Sequence, residues 1–353
     1  MLVGPTQRWP FAFSSGCAVI AHGEIHAASR ADDLDTLEEI DTVAAALREL
    51  GWDPRPISFN LDVTAFAAAV HDLDPAFVFN LVESVDGSGR LIHLAPSVCE
   101  HLGLPYTGAP TAAMLLTTSK LEAKRMLRLA GLPTAPWLEP TQLARGIVSF
   151  AGPYILKPVW EDASVGIDHD GVTADPERLL VLWRERTRAF GTEFFAERFI
   201  DGRELNLAVV AGPRGPRALP PAEIEFAEWD PESPRIVGWR AKWDSEAAEY
   251  ERTTRVFHDR PGDSVLHRRL QALARRCWRL FGLRGYARVD VRLDRRGRPW
   301  ILEVNANPCI SPDAGFLAAT REVGLGATEV VARIVRDCNL PAVAAAAGPS
   351  ADL

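Results

Sequence analysis

Hydrophobic residues recur with helical spacing near the start of the chain. Over residues 36–51, TLEEIDTVAAALRELG, the apolar positions at helical spacing are Leu37, Ile40, Ala44 and Leu47. Thr36 and Glu39 fit a capping box, in which each side chain bonds the other residue's backbone, and Gly51 suits a helix end. The pattern predicts an amphipathic helix that begins at Thr36.

Short apolar runs alternate with helical stretches after this point. PISF is followed by a helical stretch through FAAAVHDL and then by the apolar run FVFNLV. Strands that alternate with helices indicate an α/β unit with a mostly parallel sheet. The turn-rich segment LPYTGAP, residues 104–110, indicates its boundary.

A second unit follows that boundary. SKLEAKRMLRLAGLP predicts a helix capped by Ser119 and Glu122 and ended by Gly131, and YILKPVWEDASVGI predicts a strand leading into a loop of small residues. EFFAERFI and LNLAVV, separated by DGRE, are interpreted as a strand and its antiparallel return. Further helices are predicted over 264–282 and 326–338.

The stretch GYARVDVRLDRRGRPWILEVNANP, residues 285–308, predicts a β-hairpin with a turn at DRRG. With strict alternation, its apolar face holds Val289, Val291, Leu293, Trp300, Leu302 and Val304. The other face holds Arg288, Asp290, Arg292, Ile301, Glu303 and Asn305. Two carboxylates and an amide oxygen on one face suit a hard cation such as Mg²⁺, and the alternative is a solvated hairpin face.

Composition narrows the class of protein. The 353 residues are 47% hydrophobic and 24% charged, as in soluble globular proteins, and the net charge of -8 disfavours nucleic acid or an anionic membrane as partner. The five cysteines lack CxxC spacing, no apolar run approaches about 18 residues and no signal peptide is evident, so a cytoplasmic protein is expected.

Four charged residues are candidates for nucleotide binding, although no P-loop and no GxGxxG motif occurs. Lys120 at a helix start and Lys157 at a strand end could meet phosphates, or each could be a solvated surface lysine. Glu197 and Glu204 flank a turn where adenine and ribose could bind, or they mark an exposed hairpin end.

The order of these pieces resembles the ATP-grasp superfamily and, within it, the D-alanine–D-alanine ligase-like carboxylate–amine ligases. The resemblance covers roughly residues 77–317 and rests on FVFNLVES, PYTGA, SKLEAK with AGLPTAPW, YILKPVWEDASVG, ERFIDGREL, GYARVDVRLD and WILEVNANP. It implies a three-domain α/β fold, with α+β character in the ATP-binding part, in which two sheets enclose ATP. The implied units are an N-terminal domain at 1–108, a central ATP-binding domain at 109–196, a C-terminal ATP-grasp domain at 197–341 and a tail at 342–353.

The resemblance also implies residue roles. The implied nucleotide-binding residues are Lys120 and Lys157 for phosphates, Glu197, Phe199 and Ile200 for adenine, Glu204 for ribose, Ser164, Val165 and Gly166 in a flexible phosphate loop, and Lys242 in a loop that closes over the γ-phosphate. Asp290, Glu303 and Asn305 match the ligands of two Mg²⁺ ions, with Mn²⁺ as an alternative. Arg288 matches the residue that stabilises the tetrahedral intermediate, and Arg288, Lys242 and Ser164 are the implied catalytic residues.

The implied reaction joins a small-molecule carboxylate to an amine, at least one of them an amino acid, through an acylphosphate. ATP is consumed, and ADP and phosphate are released. Such ligases are often homodimers, which is one state that the resemblance allows. The alternatives are a divergent D-alanine–D-alanine ligase and a nucleotide-binding module without turnover.

The chain departs from the D-alanine ligases where those enzymes bind their substrates. LVGPTQRWPF has no glycine pair and no Ser-x-Glu motif. Where those ligases carry paired serines in the phosphate loop and a Lys-Tyr pair in the closing loop, this chain has Ala163-Ser164 and Lys242-Trp243. Cys309 replaces a glycine whose backbone N–H faces the oxyanion, and Ala314-Gly315 replaces Ser-Leu. New specificity is therefore expected from residues 229–255, where the candidates are Trp239, Arg240, Trp243 and Arg255, unless these arginines pair with surface glutamates.

Overall fold

A computed structural model describes residues 16–25, 31–160, 166–229, 233–238, 247–258 and 263–338. The helices are α1 (Ala31–Glu49), α2 (Val63–Leu73), α3 (Leu94–Leu102), α4 (Thr111–Thr118), α5 (Lys120–Leu129), α6 (Pro140–Ala144), α7 (Pro176–Phe190), α8 (Ala248–Arg252), α9 (Asp263–Phe281), α10 (Gly315–Arg321) and α11 (Ala327–Asp337). The strands are β1 (Cys17–Gly23), β2 (Asp53–Phe59), β3 (Phe77–Leu81), β4 (Trp137–Leu138), β5 (Tyr154–Pro158), β6 (Val172–Thr173), β7 (Phe194–Arg198), β8 (Gly202–Val210), β9 (Arg217–Ala218), β10 (Ala222–Phe226), β11 (Thr253–Val256), β12 (Tyr286–Asp294) and β13 (Pro299–Asn305). None of the helices in these ranges has the length and apolar content needed to cross a membrane.

The N-terminal sheet is parallel, as the alternation of strands and helices predicts. Its strand order is β2-β1-β3, and every residue of β3 is buried. The sequence interpretation did not identify β1, although the buried run AVIA between two glycines is a signal for such a strand. Because the strands run parallel, the carboxyl ends of β1 and β3 lie at one edge of the sheet.

Helix α1 begins earlier than the capping-box pattern indicates. It starts at Ala31, so Thr36 lies inside the helix and does not cap it. Glu39 is buried, and its carboxylate accepts the backbone N–H of Ile310 at 2.5 Å. The Ser-x-x-Glu type of pattern also occurs within helices, and here its glutamate serves a long-range contact. By contrast, Ser119 does cap α5, accepting the backbone N–H of Glu122 at 3.3 Å.

Two further sheets follow, and the predicted antiparallel pairing of LNLAVV with EFFAERFI is wrong. Strand β7 belongs to a small sheet of order β4-β7-β5-β6, whereas β8 is central in a large sheet of order β11-β10-β8-β12-β13, with β9 also pairing β8. The three residues 199–201 carry the chain from one sheet to the other. Their turn-like composition does not distinguish a hairpin from a crossing between sheets.

Strands β12 and β13 form the predicted hairpin, but β13 does not alternate strictly. The register pairs Asp290 with Glu303 and then Val291 with Ile301, which leaves Leu302 as a β-bulge. Ile301 and Val304 are therefore both buried in the core, while Leu302 is only partly buried. The predicted placement of Leu302 on the apolar face, with Ile301 opposite, is corrected by this extra residue.

Apolar side chains from different segments join the sheets. Helices α4, α5 and α9 pack on the apolar face of the large sheet, in one cluster with Val289 and Val291. Helix α1 packs against α11, and both share a cluster with residues of β1, β3 and β8. The boundaries at 108, 196 and 341 stay predictions.

Candidate active site

The polar face of the β12–β13 hairpin holds the charged and amide residues that its sequence predicts, but not Ile301. Asp290 lies opposite Glu303, and Arg288 lies opposite Asn305. Arg288 donates from Nε to Asp290 Oδ1 at 2.8 Å and from Nη2 to Oδ2 at 3.0 Å, which is a two-pronged ion pair. Burial lowers the pKa of Arg288, but Asp290 and Glu303 outweigh it, and the net pKa lies above its ordinary value.

The oxygen atoms on this face fit a hard cation. Asp290 also accepts the side-chain amide of Asn206 at 2.8 Å, and the Nζ atom of Lys120 lies 3.9 Å from Glu303 Oε2. The Asn305 Oδ1 atom accepts the N–H of Asn307 at 2.8 Å and keeps a second lone pair. A donor set of two carboxylates and one amide oxygen on adjacent strands suits Mg²⁺ or Mn²⁺ and does not suit zinc.

A buried ionic cluster lies in the small sheet and helix α5. Glu197, only 2% exposed, accepts from Lys124 at 2.5 Å and from Lys157 at 2.6 Å. Lys124 also donates to Thr134 Oγ1 at 2.9 Å. We call Lys124, Lys157 and Glu197 the lysine cluster. Burial raises the pKa of Glu197, but the two lysines outweigh it and the net pKa is lowered to about 2.

The alternative of solvated lysines does not hold. Lys120 and Lys157 are 5% and 9% exposed, and the backbone N–H of Lys120 donates to the carbonyl of Val159 at 2.9 Å, which ties α5 to the end of β5. Glu197 is not at an exposed hairpin end either, because its strand pairs on both sides within the small sheet.

The crossing between the sheets, residues 199–201, is held by Arg292 from β12. Arg292 donates to Glu204 Oε2 at 2.9 and 3.1 Å and to the carbonyl of Ile200 at 2.9 Å. Its guanidinium also lies 5.0 Å from the ring centroid of Phe199. One buried arginine therefore contacts three of the four positions that the resemblance assigns to adenine and ribose.

A cavity of about 450 Å³ lies between the large sheet and the carboxyl edge of the N-terminal sheet. Four of the predicted site residues line this cavity, namely Glu204, Arg288, Asp290 and Asn305. Glu24 and Glu83, which follow β1 and β3, line the opposite wall together with Asp35. Lys120, Glu197 and Glu303 lie outside this lining.

We call the wall formed by Asp35, Arg255, Cys309, Ser311 and Gly315 the substrate end of the cavity. The Cys309 thiol donates to Asp35 Oδ2 at 2.8 Å and lies 3.1 Å from the Ser311 hydroxyl. Burial and then the carboxylates of Glu39, Glu83 and Asp35 raise the pKa of Cys309 well above its ordinary value. A thiol in this acidic surrounding stays protonated, which argues against a nucleophilic role.

Two long-range contacts shape the substrate end. Glu39 from α1 holds the N–H of Ile310, next to Cys309, as described above. On the other side, Arg255 of β11 donates from Nη1 to the carbonyl of Asp313 at 3.3 Å. Its guanidinium fits against Gly315 so closely that a Cβ atom there would lie 3.1 Å from Nε.

Some predicted residues lie outside the described residues. These are Ser164, Val165, Lys242, the candidates Trp239, Arg240 and Trp243, the segment LVGPTQRWPF and the tail at 342–353. Gly166 is described and has a φ of +69°, and its carbonyl accepts from Arg186. Sequence reasoning missed Lys124, Asn206, Arg292 and Glu39. Asn206 stands in the apolar run LNLAVV, where an amide is the signal that could have found it, whereas the charged helix around Lys124 gives no such signal.

Comparison with known proteins identifies the family of the chain. Residues 127–336 match the profile of the D-ala D-ala ligase C-terminus. A D-alanine–D-alanine ligase of Methylococcus capsulatus is 31% identical over 306 residues, covering 85% of this chain and 90% of that protein. One from Bordetella avium is 30% identical, covering 87% of this chain and 91% of that protein.

Solved structures show the same fold. The D-alanine–D-alanine ligase from Bacillus anthracis complexed with ATP has a TM-score of 0.69 at 19% identity, covering 92% of this chain and 97% of that chain. D-alanyl-alanine synthetase A from Vibrio cholerae has a TM-score of 0.70 at 16% identity, covering 92% and 98%. The ATP-grasp fold expected from the ordered motifs is confirmed. The chain belongs to the D-alanine–D-alanine ligase family and is an ATP-grasp ligase.

Proposed function

We propose that the protein uses ATP and Mg²⁺ to join a small-molecule carboxylate to an amine, at least one of them an amino acid. The relatives are named for the ligation of D-alanine, which supports amino-acid substrates. The observation that carries the proposal is the shared face of Arg288, Asp290, Glu303 and Asn305, with Lys120 3.9 Å from Glu303.

The proposed chemistry has two steps. A carboxylate oxygen of the first substrate attacks the γ-phosphorus of ATP, the bond between the β- and γ-phosphates breaks, and ADP leaves. The amine of the second substrate then attacks the carbonyl carbon of the acylphosphate and loses a proton, and phosphate leaves as the amide forms. Direct reaction at neutral pH would require expulsion of oxide, which is a far poorer leaving group than phosphate.

The residues of the chain serve these steps by charge and position. In the proposal, Lys120 and Lys157 bind phosphates, and Glu197 keeps the lysine cluster charged inside the protein. Both carboxylate oxygens of Glu197 accept from lysines, so an adenine contact at this position is left to the backbone of the crossing. Asp290, Glu303 and Asn305 would hold Mg²⁺, which supplies charge neutralisation at phosphate oxygens.

Arg288 and the backbone after Pro308 serve the second step. Arg288 lines the cavity and carries a delocalised charge that can face an oxyanion. The N–H of Cys309 is proposed as a second donor to that oxyanion, a role that needs no side chain. Glu39 supports this segment from the N-terminal domain by holding the next N–H, that of Ile310.

The first test is phosphate release with ATP and Mg²⁺ over pools of amino acids and small acids. Each active pool is then analysed by mass spectrometry for a mass equal to two substrates minus water. The wild type is expected to give such a product. Asp290→Asn should lower turnover at least about 1,000-fold, because it removes a charged ligand beside Arg288.

Asp53→Asn is the matched control, because Asp53 is an exposed carboxylate on β2 that does not line the cavity. It should leave turnover unchanged. Equal turnover of Asp290→Asn and the wild type would discard the metal assignment, and a wild type without product would discard the proposed reaction.

The second candidate, D-alanyl-D-alanine as product, is less well supported. The positions that bind the second D-alanine in those ligases are Ala314-Gly315 here. The guanidinium of Arg255 lies against Gly315, close to where a side chain at this position would begin. Inclusion of D-alanine in the pools tests it directly.

A further inference from the structure

The environment of Arg255 differs from that of the other arginine at the cavity. Arg288 is neutralised by its two-pronged pair with Asp290. Among the described residues, the hydrogen bond found for Arg255 is the long one to the carbonyl of Asp313, an uncharged acceptor. The carboxylate of Asp313 is itself engaged, since its Oδ1 accepts from Ser311 at 3.1 Å. Within the part of the chain that the structure describes, the Arg255 guanidinium therefore forms no ion pair, although the charge of Asp313 acts on it from a greater distance.

A glycine in the backbone, Gly315, leaves space for this guanidinium. Arg255 stands on the edge strand β11, and its side chain is exposed to the cavity. Across the cavity wall, Gly315 lacks the Cβ atom that would come within 3.1–3.3 Å of Nε, Cζ and Nη2. A Cβ contact that close requires the neighbour to move, so the glycine gives Arg255 its place.

The electrostatic surroundings leave room for one negative charge. Desolvation and then the charge of Arg288 lower the pKa of Arg255, whereas the carboxylate of Asp313 raises it, and the guanidinium stays protonated. Glu24 and Glu83 line other parts of the same cavity, and Asp35 and Asp313 lie at its substrate end. These carboxylates would repel a dianion but suit a molecule with one carboxylate and one amino group.

We propose that the amine substrate carries a free carboxylate, which Arg255 binds in its place against Gly315, so that the amino group of that substrate points toward Arg288. The substrate class is an amino acid with its carboxylate close to the reacting amine, and Arg255 determines that preference. This inference rests on the proposed function, because it assigns a substrate to the second step.

The test uses D- and L-amino acids and their carboxamides as acceptors, with ATP, Mg²⁺ and a saturating first substrate. For the acceptor that forms product, we expect the carboxamide to lower kcat/KM about 30- to 100-fold in the wild type, since a charged two-pronged contact is lost. Arg255→Ala should raise the acceptor KM by a similar factor with kcat changed less than about 3-fold, and it should use acid and carboxamide equally.

Two variants and one control separate this role from a structural one. Gly315→Ala keeps the charge but requires the guanidinium to move by a few tenths of an ångström, so it should raise KM by a smaller factor than Arg255→Ala. Arg255→Lys should restore part of the preference for the acid, since it keeps the charge and loses the planar fork. Arg252→Ala removes an exposed arginine from the same segment and should not change KM.

The inference is overturned if the wild type uses the carboxamide as well as the acid, or if Arg255→Ala leaves the acceptor KM unchanged. Failure of the proposed function gives a different result. In that case the wild type forms no amide product from any pool, and the inference falls with it.

Discussion

The lysine cluster and the substrate end are both polar, but they are assembled in different ways. The lysine cluster joins residues of α5, β5 and β7, and its charges pair within 2.5–2.6 Å. The substrate end joins α1, β11 and the segment after β13, and its contacts include a thiol, a backbone N–H and a glycine.

In the proposed function, the two regions bind different ligands. A paired ionic network fixes geometry for a ligand that does not vary, and nucleotide phosphates are such a ligand. A wall made from three distant segments can change one residue at a time, as the replacement of Ser-Leu by Ala314-Gly315 illustrates. We therefore expect mutations in the lysine cluster to affect stability most, and mutations at the substrate end to affect specificity or pH dependence.

The largest effect is expected for Glu197→Gln. It leaves Lys124 and Lys157 without a countercharge inside the protein, and breaking such a buried pair costs about 3–5 kcal/mol in the free energy of unfolding. Urea denaturation measures this cost. Asp201→Asn, which breaks an exposed pair with Arg295 three residues beyond the end of β7, should cost less than about 1 kcal/mol. Equal costs for both variants would remove the distinction that we draw.

A smaller effect, with a pH signature, is expected for Glu39→Gln. Burial raises the pKa of Glu39 from its ordinary value of 4.5 to about 8, so the folded protein retains a proton that the unfolded chain releases. The free energy of unfolding should thus decrease as pH rises between these values, and the contribution of Glu39 is lost above about 8.

Glutamine is neutral and can still accept the N–H of Ile310, so the variant should lack this pH dependence. Between pH 5.5 and 8.5, the free energy of unfolding of the variant should rise by about 2 kcal/mol relative to that of the wild type. This figure allows for partial relaxation around the ionised carboxylate of the wild type. Urea denaturation at the two pH values measures the difference. Parallel pH profiles for the two proteins would contradict a buried, protonated Glu39.

Arg292→Lys should have a more moderate effect. A lysine can keep one bond to Glu204 but not also the bond to the carbonyl of Ile200 at the crossing, and we expect a loss of about 1–2 kcal/mol. ATP affinity should fall as well, because the crossing carries the proposed adenine contacts. Calorimetric titration with ATP checks this, with the exposed Arg298→Lys as control. Unaltered affinity would argue against nucleotide binding at the crossing.

The smallest effect is expected for Cys309→Ser. The hydroxyl can replace the thiol as donor to Asp35, so kcat and stability should change little, within about 3-fold and 1 kcal/mol. A nucleophilic thiol would instead make the variant at least about 1,000-fold slower. Steady-state kinetics of the wild type and of Cys309→Ser decides between these outcomes.

These contrasts also explain what the sequence could predict. The polar face of the hairpin follows from alternation and from the turn at DRRG, and Arg288, Asp290, Glu303 and Asn305 are on it as expected. Lys120 and Lys157 could be located by their motifs, but their burial could not, because it depends on packing between elements far apart in sequence.

Other features of the fold could not be predicted from the local sequence. The crossing at 199–201 has the composition of a hairpin turn, so the membership of β7 and β8 in different sheets is decided only by their partners. The sequence pattern indicates no role for Lys124, and for Glu39 it indicates part of a cap. In both cases the partner lies more than 70 residues away, at Glu197 and Ile310.

The β-bulge at Leu302 has a consequence for recognising related chains. It divides β13 into two halves of opposite phase, so that Ile301 and Val304 both count as core although an odd number of steps separates them. A search that requires unbroken alternation over 299–305 would score this strand poorly. A search that allows one phase shift between Ile301 and Glu303 would identify both the core positions and the two oxygen ligands.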